Sequence, residues 1–504
     1  MTSRTSWKLA WIAVVLVAVV LRLLVLADAR EPFDDSYITL RYAWNVAHHG
    51  RWFFNVPGEK AQGATSLLWV LALIPASLFL KSGDPHAYGA LVASSLVVQL
   101  ATVFFLVRES ARNVVRRREL TIGALLVAVA PTVVDQAASG MEASLAIALV
   151  TVVWARPPGG LSWCLALGLL PVTRPETAVT LVLPLGIALL IAERGRAPVD
   201  APQRWLRAAG ITLVPGLATL AVVSALRGWG NPFPTTLQAK NHTYDMLADA
   251  PPLHDYLLRG YSLTGLAVSV GPAWLGAALL IGMAALVAHV IVTRREPIIT
   301  GWGFAWVANT LFYGAAIRWY FPWYSAVCAA ISLWFVCATL DGLTVPRMVR
   351  ATAAVAVFVL LVDAAKLRHV ILGRATHLSW NAPHIGEALR EMAPSDADIM
   401  LEPVGIIGFF SGLRVHDTVG LVSSDVTEGR AAPDCWYDRA VQRLHPEYIA
   451  LREEEIDRNR DFLSDFKRVL ACDGAPIPKG YSRALPKSSD PPESHPIALL
   501  RRNR

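Results

Sequence analysis

Two adjacent carboxylates, Asp34 and Asp35, follow the first apolar stretch of the chain directly. A carboxylate at a membrane surface can take the proton from a hydroxyl that is forming a new C–O bond. A pair of them can also hold a hard divalent cation together with water. Cations that could grip a phosphate lie elsewhere along the chain, at Arg318, Lys240 and Arg41. Arg is suited to bidentate contact with phosphate oxygens. Arg318 stands among Trp319, Tyr320, Phe321 and Trp323, a setting that equally suits an aromatic-belt anchor with a snorkelling Arg. Glu142, Arg174 and Glu176 form a third polar group, readable as substrate contacts or as a structural Arg–carboxylate tie.

Helices that cross a membrane must position these residues. The 504-residue chain is 54% hydrophobic and 17% charged, far from the balance of a soluble domain. The apolar residues come in blocks long enough to cross the hydrocarbon core as helices, where the backbone must satisfy its own hydrogen bonds. Length and hydropathy predict about eleven spans: 8–27, 87–107, 120–134, 143–155, 161–173, 177–192, 208–226, 264–292, 300–317, 322–340 and 351–369. The N-terminal apolar stretch reads as a retained span and not as a cleaved signal. The net charge of +7 comes from Arg residues in short connections, which is the positive-inside pattern and not a nucleic-acid footprint.

The stretch 64–80, interrupted by Pro75, decides the threading. Read as an interfacial or re-entrant helix, it sends the basic loops at 108–119, 194–207, 294–295 and 347–350 to the cytoplasm. The first loop, about 28–86, and the polar clusters at 135–142, 173–176, 227–259 and 318–323 then face outside. Asp34–Asp35 would begin an amphipathic interfacial helix, with Tyr37, Leu40, Trp44 and Ala47 on its apolar face and Arg41, Asn45 and His49 largely elsewhere. There Asp34 is equally readable as a simple N-cap. Adjacent His48 and His49 do not share a helix face, which argues against a shared metal.

From about residue 370 the chain reads as a small soluble α/β domain on the outer side. Strands are predicted at 398–402, 414–418 and 447–451, with a short helix over 403–411. Residues 486–504 read as loosely ordered. Cys435 and Cys472 in this segment are candidates for a disulfide, whereas Cys164, Cys328 and Cys337 lie in apolar blocks and read as packing residues. The division expected from sequence is thus 1–369 for the membrane domain and 370–504 for the outer domain.

The motifs resemble the GT-C superfamily of membrane glycosyltransferases. They are similar to those of the mycobacterial-type terminal β-(1→2)-arabinofuranosyltransferases in particular. The resemblance rests on Asp34-Asp35-Ser36-Tyr37-Ile38-Thr39-Leu40-Arg41-Tyr42-Ala43, on Asn55-Val56-Pro57-Gly58-Glu59, and on Gly63-Ala64-Thr65-Ser66-Leu67-Leu68-Trp69. It continues through Ser139-Gly140-Met141-Glu142, Thr173-Arg174-Pro175-Glu176 and Pro234-Thr235-Thr236 with Ala239-Lys240, where Thr235 replaces the family's Asn. Arg318-Trp319-Tyr320-Phe321-Pro322, Gly408-Phe409 and Asp417-Thr418-Val419-Gly420-Leu421 complete it. The resemblance implies a GT-C-like all-α membrane domain and a polyprenyl-phosphate sugar donor. It also implies inversion at the anomeric carbon, and Asp34 or Asp35 as the base.

The function expected is transfer of a sugar, arabinofuranose on the resemblance, to a cell-envelope glycan or glycolipid outside a bacterial inner membrane. The N-terminus would be inside, and membrane lipid is an obligate partner. The sequence names no cofactor, and a divalent metal at Asp34 and Asp35 stays open. The runner-up is a mannosyl- or other hexosyltransferase of the same superfamily. From other classes come a lipid-carrier flippase and a non-catalytic assembly protein. A flippase should carry paired halves with polar groups at mid-membrane, and the sequence has neither. This threading makes a direct prediction: an impermeant label on cysteines placed at positions 34 and 35 reacts from the outer side and not from the cytosol.

Overall fold

A computed structural model describes residues 4–28, 33–55, 57, 59–194, 201–244, 273–293, 296–315, 322–340, 381–426, 435–461, 468–475, 477–487 and 496–503. The chain divides by contact into two compact units. The first comprises Met1–Arg30, Val92–Thr219 and Ala250–Leu372. The second comprises Glu31–Leu91, Leu220–Asp249 and Gly373–Arg504. The contacts break at Leu372/Gly373, close to the expected cut at 369/370, and they also group Glu31–Leu91 and Leu220–Asp249 with the C-terminal residues. The first loop groups with the C-terminal residues because its buried polar groups find their partners there.

In chain order the helices are α1 (Arg4–Asp28), α2 (Asp34–His49), α3 (Leu67–Ser77), α4 (Ala87–Arg112), α5 (Arg117–Val129), α6 (Pro131–Val134), α7 (Ala143–Ala155) and α8 (Leu161–Thr173). There follow α9 (Leu183–Arg194), α10 (Ala201–Leu226), α11 (Thr236–Tyr244), α12 (Ala273–Val292), α13 (Pro297–Ala315) and α14 (Pro322–Leu340). The C-terminal part adds α15 (Ala382–Met392), α16 (Gly405–Ser411), α17 (Trp436–Leu444) and α18 (Glu453–Arg458).

The first unit is helical throughout its described residues. Among the described residues of the whole chain, two helical stretches, Ala87–Arg112 and Leu206–Leu226, are by themselves long and apolar enough to cross a membrane. Shorter apolar helices accompany them, including Trp11–Leu26, Ala143–Ala155 and Leu161–Thr173. Eleven spans are thus not established, and the expected span 351–369 lies outside the described residues. Large apolar side chains stand exposed along α1 and α4 (Leu16, Leu23, Phe104) and along α8 to α10 (Leu161, Leu183, Leu217). Apolar surface of that extent is unfavourable in water and is consistent with a lipid surround. Inside, helices meet through small residues and stacked rings. A Cβ at Gly168 would stand 1.8 Å from the carbonyl oxygen of Thr212, so α8 and α10 touch backbone to backbone. Trp154 stacks on Trp334 at 4.2 Å.

Arg22, the one charge in the first apolar block, is fully buried. Its Nε donates to Gln99 Oε1 at 2.7 Å, Nη1 to the carbonyls of Ala18 and Ala128, and Nη2 to that of Val127. A cation in an apolar interior persists only with its donors so satisfied.

The second unit holds a five-stranded sheet of order β2-β1-β3-β5-β4. Its strands are β1 (Asp398–Leu401), β2 (Arg414–Asp417), β3 (Tyr448–Arg452), β4 (Tyr481–Arg483) and β5 (Ile497–Arg502). β1 pairs in parallel with β2 and β3, and β5 pairs antiparallel with β3 and β4. Three strands and the helix at 405–411 match the sequence reading. The expectation of a loose tail over 486–504 is corrected, because Ile497–Arg502 forms an inner strand with Ile497, Ala498, Leu499 and Leu500 buried. The apolar run Ile497-Ala498-Leu499-Leu500 is the signal for it, obscured by the Pro- and Ser-rich residues before it. Cys435 and Cys472 are disulfide-bonded, with Cα atoms 5.1 Å apart.

Stretch 64–80 contains an 11-residue helix, α3, capped by the Ser66 hydroxyl on the Trp69 N–H. Eleven residues rise about 16 Å, too little for a bilayer. α3 packs on α2. α2 itself is not the one-sided amphipathic helix expected: Ser36 through Ala43 are all buried. The sequence reading placed its polar face in water, whereas Arg41 and Asn45 are only 8% and 5% exposed. The reason lies at α16, where Gly405 and Gly408 let a second helix come against α2. A Cβ on Gly405 would stand 1.9 Å from the Asp34 carbonyl oxygen. Gly405→Ala is therefore expected to cost on the order of 3 kcal/mol, read as a lowered thermal midpoint of the purified protein.

Candidate functional site

Asp34 and Asp35 begin α2, where unpaired N–H groups and the helix dipole favour acids. The helix is capped at Phe33, without a side-chain cap bond. Asp34 instead reaches across to α16. Its two oxygens accept the N–H groups of Gly405 and Ile406 at 2.8 and 2.7 Å. Burial raises its pKa to about 7, against the pull of those two bonds and with the charges of Asp35 and Glu402 adding to the rise.

Asp35 has different company. Its carboxylate lies 3.8 Å from Lys240 Nζ, and its side chain is 30% exposed. Lys240 is carried by α11, whose first turn is tied to the 62–65 segment. Thr235 N donates to the Gln62 carbonyl at 3.0 Å, Gln62 N donates to Thr235 Oγ1, and the Thr65 and Thr236 hydroxyls meet at 3.1 Å. The structure thus brings together an acid and a base 205 positions apart in sequence, with Asp35 part-exposed and Lys240 mostly covered at 13%.

Arg41 is committed to protein carbonyls. Its Nε donates to Phe54 O at 2.9 Å, Nη2 to Leu413 O at 2.9 Å and Nη1 to Gly408 O. Its guanidinium also lies over the Phe54 ring at 4.3 Å. Together with Asp34 it holds α16 against α2.

In the first unit, Glu142, Arg174 and Glu176 come together as the tie that the sequence reading left open. Arg174 donates from Nη1 to Glu142 at 2.6 Å, from Nε to Glu176 at 2.7 Å and from Nη2 to Tyr313 at 3.1 Å. Tyr313 in turn donates to Glu176. Arg174 and Glu142 are nearly inaccessible. Arg318 and Tyr320 lie outside the described residues. Among the described residues no group of three or more His, Cys, Asp or Glu is placed to hold a metal.

Sequence reasoning gave no role to a second polar group in the unit of Asp35. Gln62 is fully buried, and neither atom of its amide has a partner. Glu59 Oε2 and Arg227 Nε are likewise buried and unpartnered. The motif around Glu59 was visible, but the 168 positions between Glu59 and Arg227 concealed the pairing, in which Arg227 Nη2 donates to the Glu59 carbonyl at 2.8 Å.

Similarity to solved structures can now be set beside this geometry. The crystal structure of ArnT from Cupriavidus metallidurans bound to undecaprenyl phosphate matches with a TM-score of 0.57 and 12% identity, covering 99% of this chain and 98% of that one. The apo state of the same protein matches with a TM-score of 0.55 and 14% identity, over 90% and 94% of the two chains. The fold is GT-C-like. A model for a domain of unknown function, DUF8728, matches residues 341–491. No curated protein matches. The expected GT-C-like fold is thus present, whereas these likenesses do not show the arabinofuranosyltransferase subfamily.

The buried carboxyls set a pH dependence. Burial raises Asp34, Glu59 and Glu455 to about 7 and Asp417 to about 6. Each holds its proton in the folded chain where the unfolded chain has lost it. Stability therefore falls as pH rises from the ordinary carboxylate range to about 7. Burial disfavours the charge on His416, yet its bonds to Asp398 and Asp425 raise its pKa, so its contribution too is lost as pH rises. Asp398 and Asp425 are lowered and act the other way, only below the ordinary carboxylate pKa. The thermal midpoint is expected to be higher near pH ~5 than near pH ~8, with the difference reduced in Asp34→Asn.

Proposed function

We propose that this chain is a membrane glycosyltransferase that takes a sugar from a polyprenyl-phosphate donor, inverts its anomeric carbon and attaches it to a cell-envelope glycan or glycolipid outside the membrane. Arabinofuranose is the sugar suggested by motif resemblance. The observation that carries the reading is the part-exposed Asp35 carboxylate beside Lys240 within a GT-C-like fold. The ArnT relative in fold holds undecaprenyl phosphate, which supports a carrier of that class here. The Cys435–Cys472 disulfide supports an oxidising outer compartment for the sheet domain.

Asp35 is the base in this reading and Asp34 is not. Both oxygens of Asp34 are occupied by backbone N–H groups, whereas Asp35 is open to an incoming hydroxyl. The acceptor hydroxyl gives its proton to Asp35 as its oxygen attacks the anomeric carbon. The bond from that carbon to the phosphate oxygen breaks on the opposite face, and the polyprenyl phosphate leaves with the electron pair. No proton need be given to the leaving group, because the phosphate is already a stable anion. Lys240 then has two tasks. It pairs with the Asp35 carboxylate before the donor arrives, and it turns to the phosphate once that carboxylate has taken the acceptor's proton. Asp34 and Arg41 act as positioning residues through α16.

Transfer by the purified full-length protein from a panel of polyprenyl-phosphate sugars tests this. Asp35→Asn is expected to lower kcat by about 10²–10⁴-fold with the fold intact. Asp34→Asn should mainly lower stability. Wild-type protein that transfers from no donor, or Asp35→Asn with normal kcat, would overturn the proposal.

A further inference from the structure

The unpartnered groups at Gln62, Glu59 and Arg227 ask for a ligand. A buried primary amide with neither end paired forfeits hydrogen bonds it would make freely in water. Gln62 is 0% exposed and leaves both Nε2 and Oε1 in that state. Its main chain is held from both sides: Gln62 N and O bond Thr235, and the next N–H, of Gly63, donates to Tyr42 Oη at 3.0 Å. The main chain here is therefore fixed, while both polar atoms of the Gln62 side chain are left without a partner.

Two connections place the main chain at Gln62 between the helices that carry the reacting groups. Tyr42 shares a face of α2 with Asp35 and Thr39, at i, i+4 and i+7. Thr235 precedes α11, and Lys240 is one turn in from the Thr236 that starts it. Gln62 thus lies between the helix carrying the carboxylate and the helix carrying the cation.

The chemistry of the three groups selects the ligand class. A glutamine amide offers one acceptor and two donors in a plane, which suits neighbouring hydroxyls. Glu59 Oε2 disfavours a bare phosphate, and Arg227 Nε disfavours a bare cation. An uncharged polyol satisfies all three. We propose that Gln62, with Glu59 and Arg227, reads the ring hydroxyls of the donor sugar, whose phosphate lies at Lys240. Gln62 is 0% exposed, so neighbouring side chains must move aside when the sugar binds. Glu59, which burial raises to about 7, can act either as donor or as acceptor toward a hydroxyl near neutral pH.

This rests on the donor assignment proposed above, and the test separates the two. Full-length protein in detergent is given polyprenyl phosphate, the polyprenyl-phosphate sugar it turns over best, and the monodeoxy analogues of that sugar. Wild type is expected to discriminate against at least one deoxy analogue by roughly tenfold or more in kcat/KM. Gln62→Met, which keeps bulk but no polar end, should lose that discrimination: the parent donor falls by about the same factor and the deoxy analogue stays level. Gln62→Glu, which keeps one acceptor, should retain part of the preference. Folded Gln62→Met that discriminates among the analogues as wild type does would overturn the proposal, leaving the amide as the seat of an internal water. If wild type turns over no donor, the glycosyltransferase reading fails by itself. Direct binding then decides the present point: equal affinity of wild type for the carrier with and without sugar would sink it, and a preference for the sugar-bearing carrier lost in Gln62→Met would sustain it.

Discussion

A single carboxylate bonded to two backbone N–H groups organises the second unit. Asp34 starts one helix and closes the amino end of another 371 residues later in the chain. The contact brings α16 against α2 so closely that only glycine fits at 405. Arg41, two turns along, completes the joint by donating to carbonyls on both sides of it. With Asp34 and Arg41 spent on backbone, the reaction proposed above falls to Asp35 and its neighbour Lys240. The division of labour between two adjacent aspartates therefore follows from which of them the second helix claims.

The same economy of charge runs through both units. Arg22 is satisfied by an amide and three carbonyls. Arg174 is shared between two glutamates and a tyrosine. Asp417 accepts the N–H groups of Val419 and Val422 in the turn after β2. Removing one partner from such a set leaves a buried charge uncompensated, which costs far more than the pair contributes. Against this background Gln62 stands out among the described residues, because both polar atoms of its amide are buried without a partner.

Much of the local structure could be read directly. Apolar blocks marked most helices of the first unit, because a helix buried in lipid or in other helices must be apolar all round. The strands β1, β2 and β3 were legible as short β-branched and apolar runs bounded by turns. β4 and β5 were not. A three-residue strand carries no period, and β5 follows a Pro- and Ser-rich stretch that reads as the end of order. The roles of Arg41 and Asn45 were also hidden, because helical spacing shows which residues share a face but not whether a second helix covers the polar one.

The amino-acid sequence by itself determined the membrane character, the small α/β segment, the cysteine pair and the acids at the head of α2. These depend on composition and on spacing within a few turns, which the chain carries locally. Only the tertiary structure decided that Asp34 caps α16, that Lys240 meets Asp35, and that Gln62 lies between them with its amide unanswered. Those facts join residues tens to hundreds of positions apart, and such distances close only when buried polar groups must find partners and the packing leaves few places to find them.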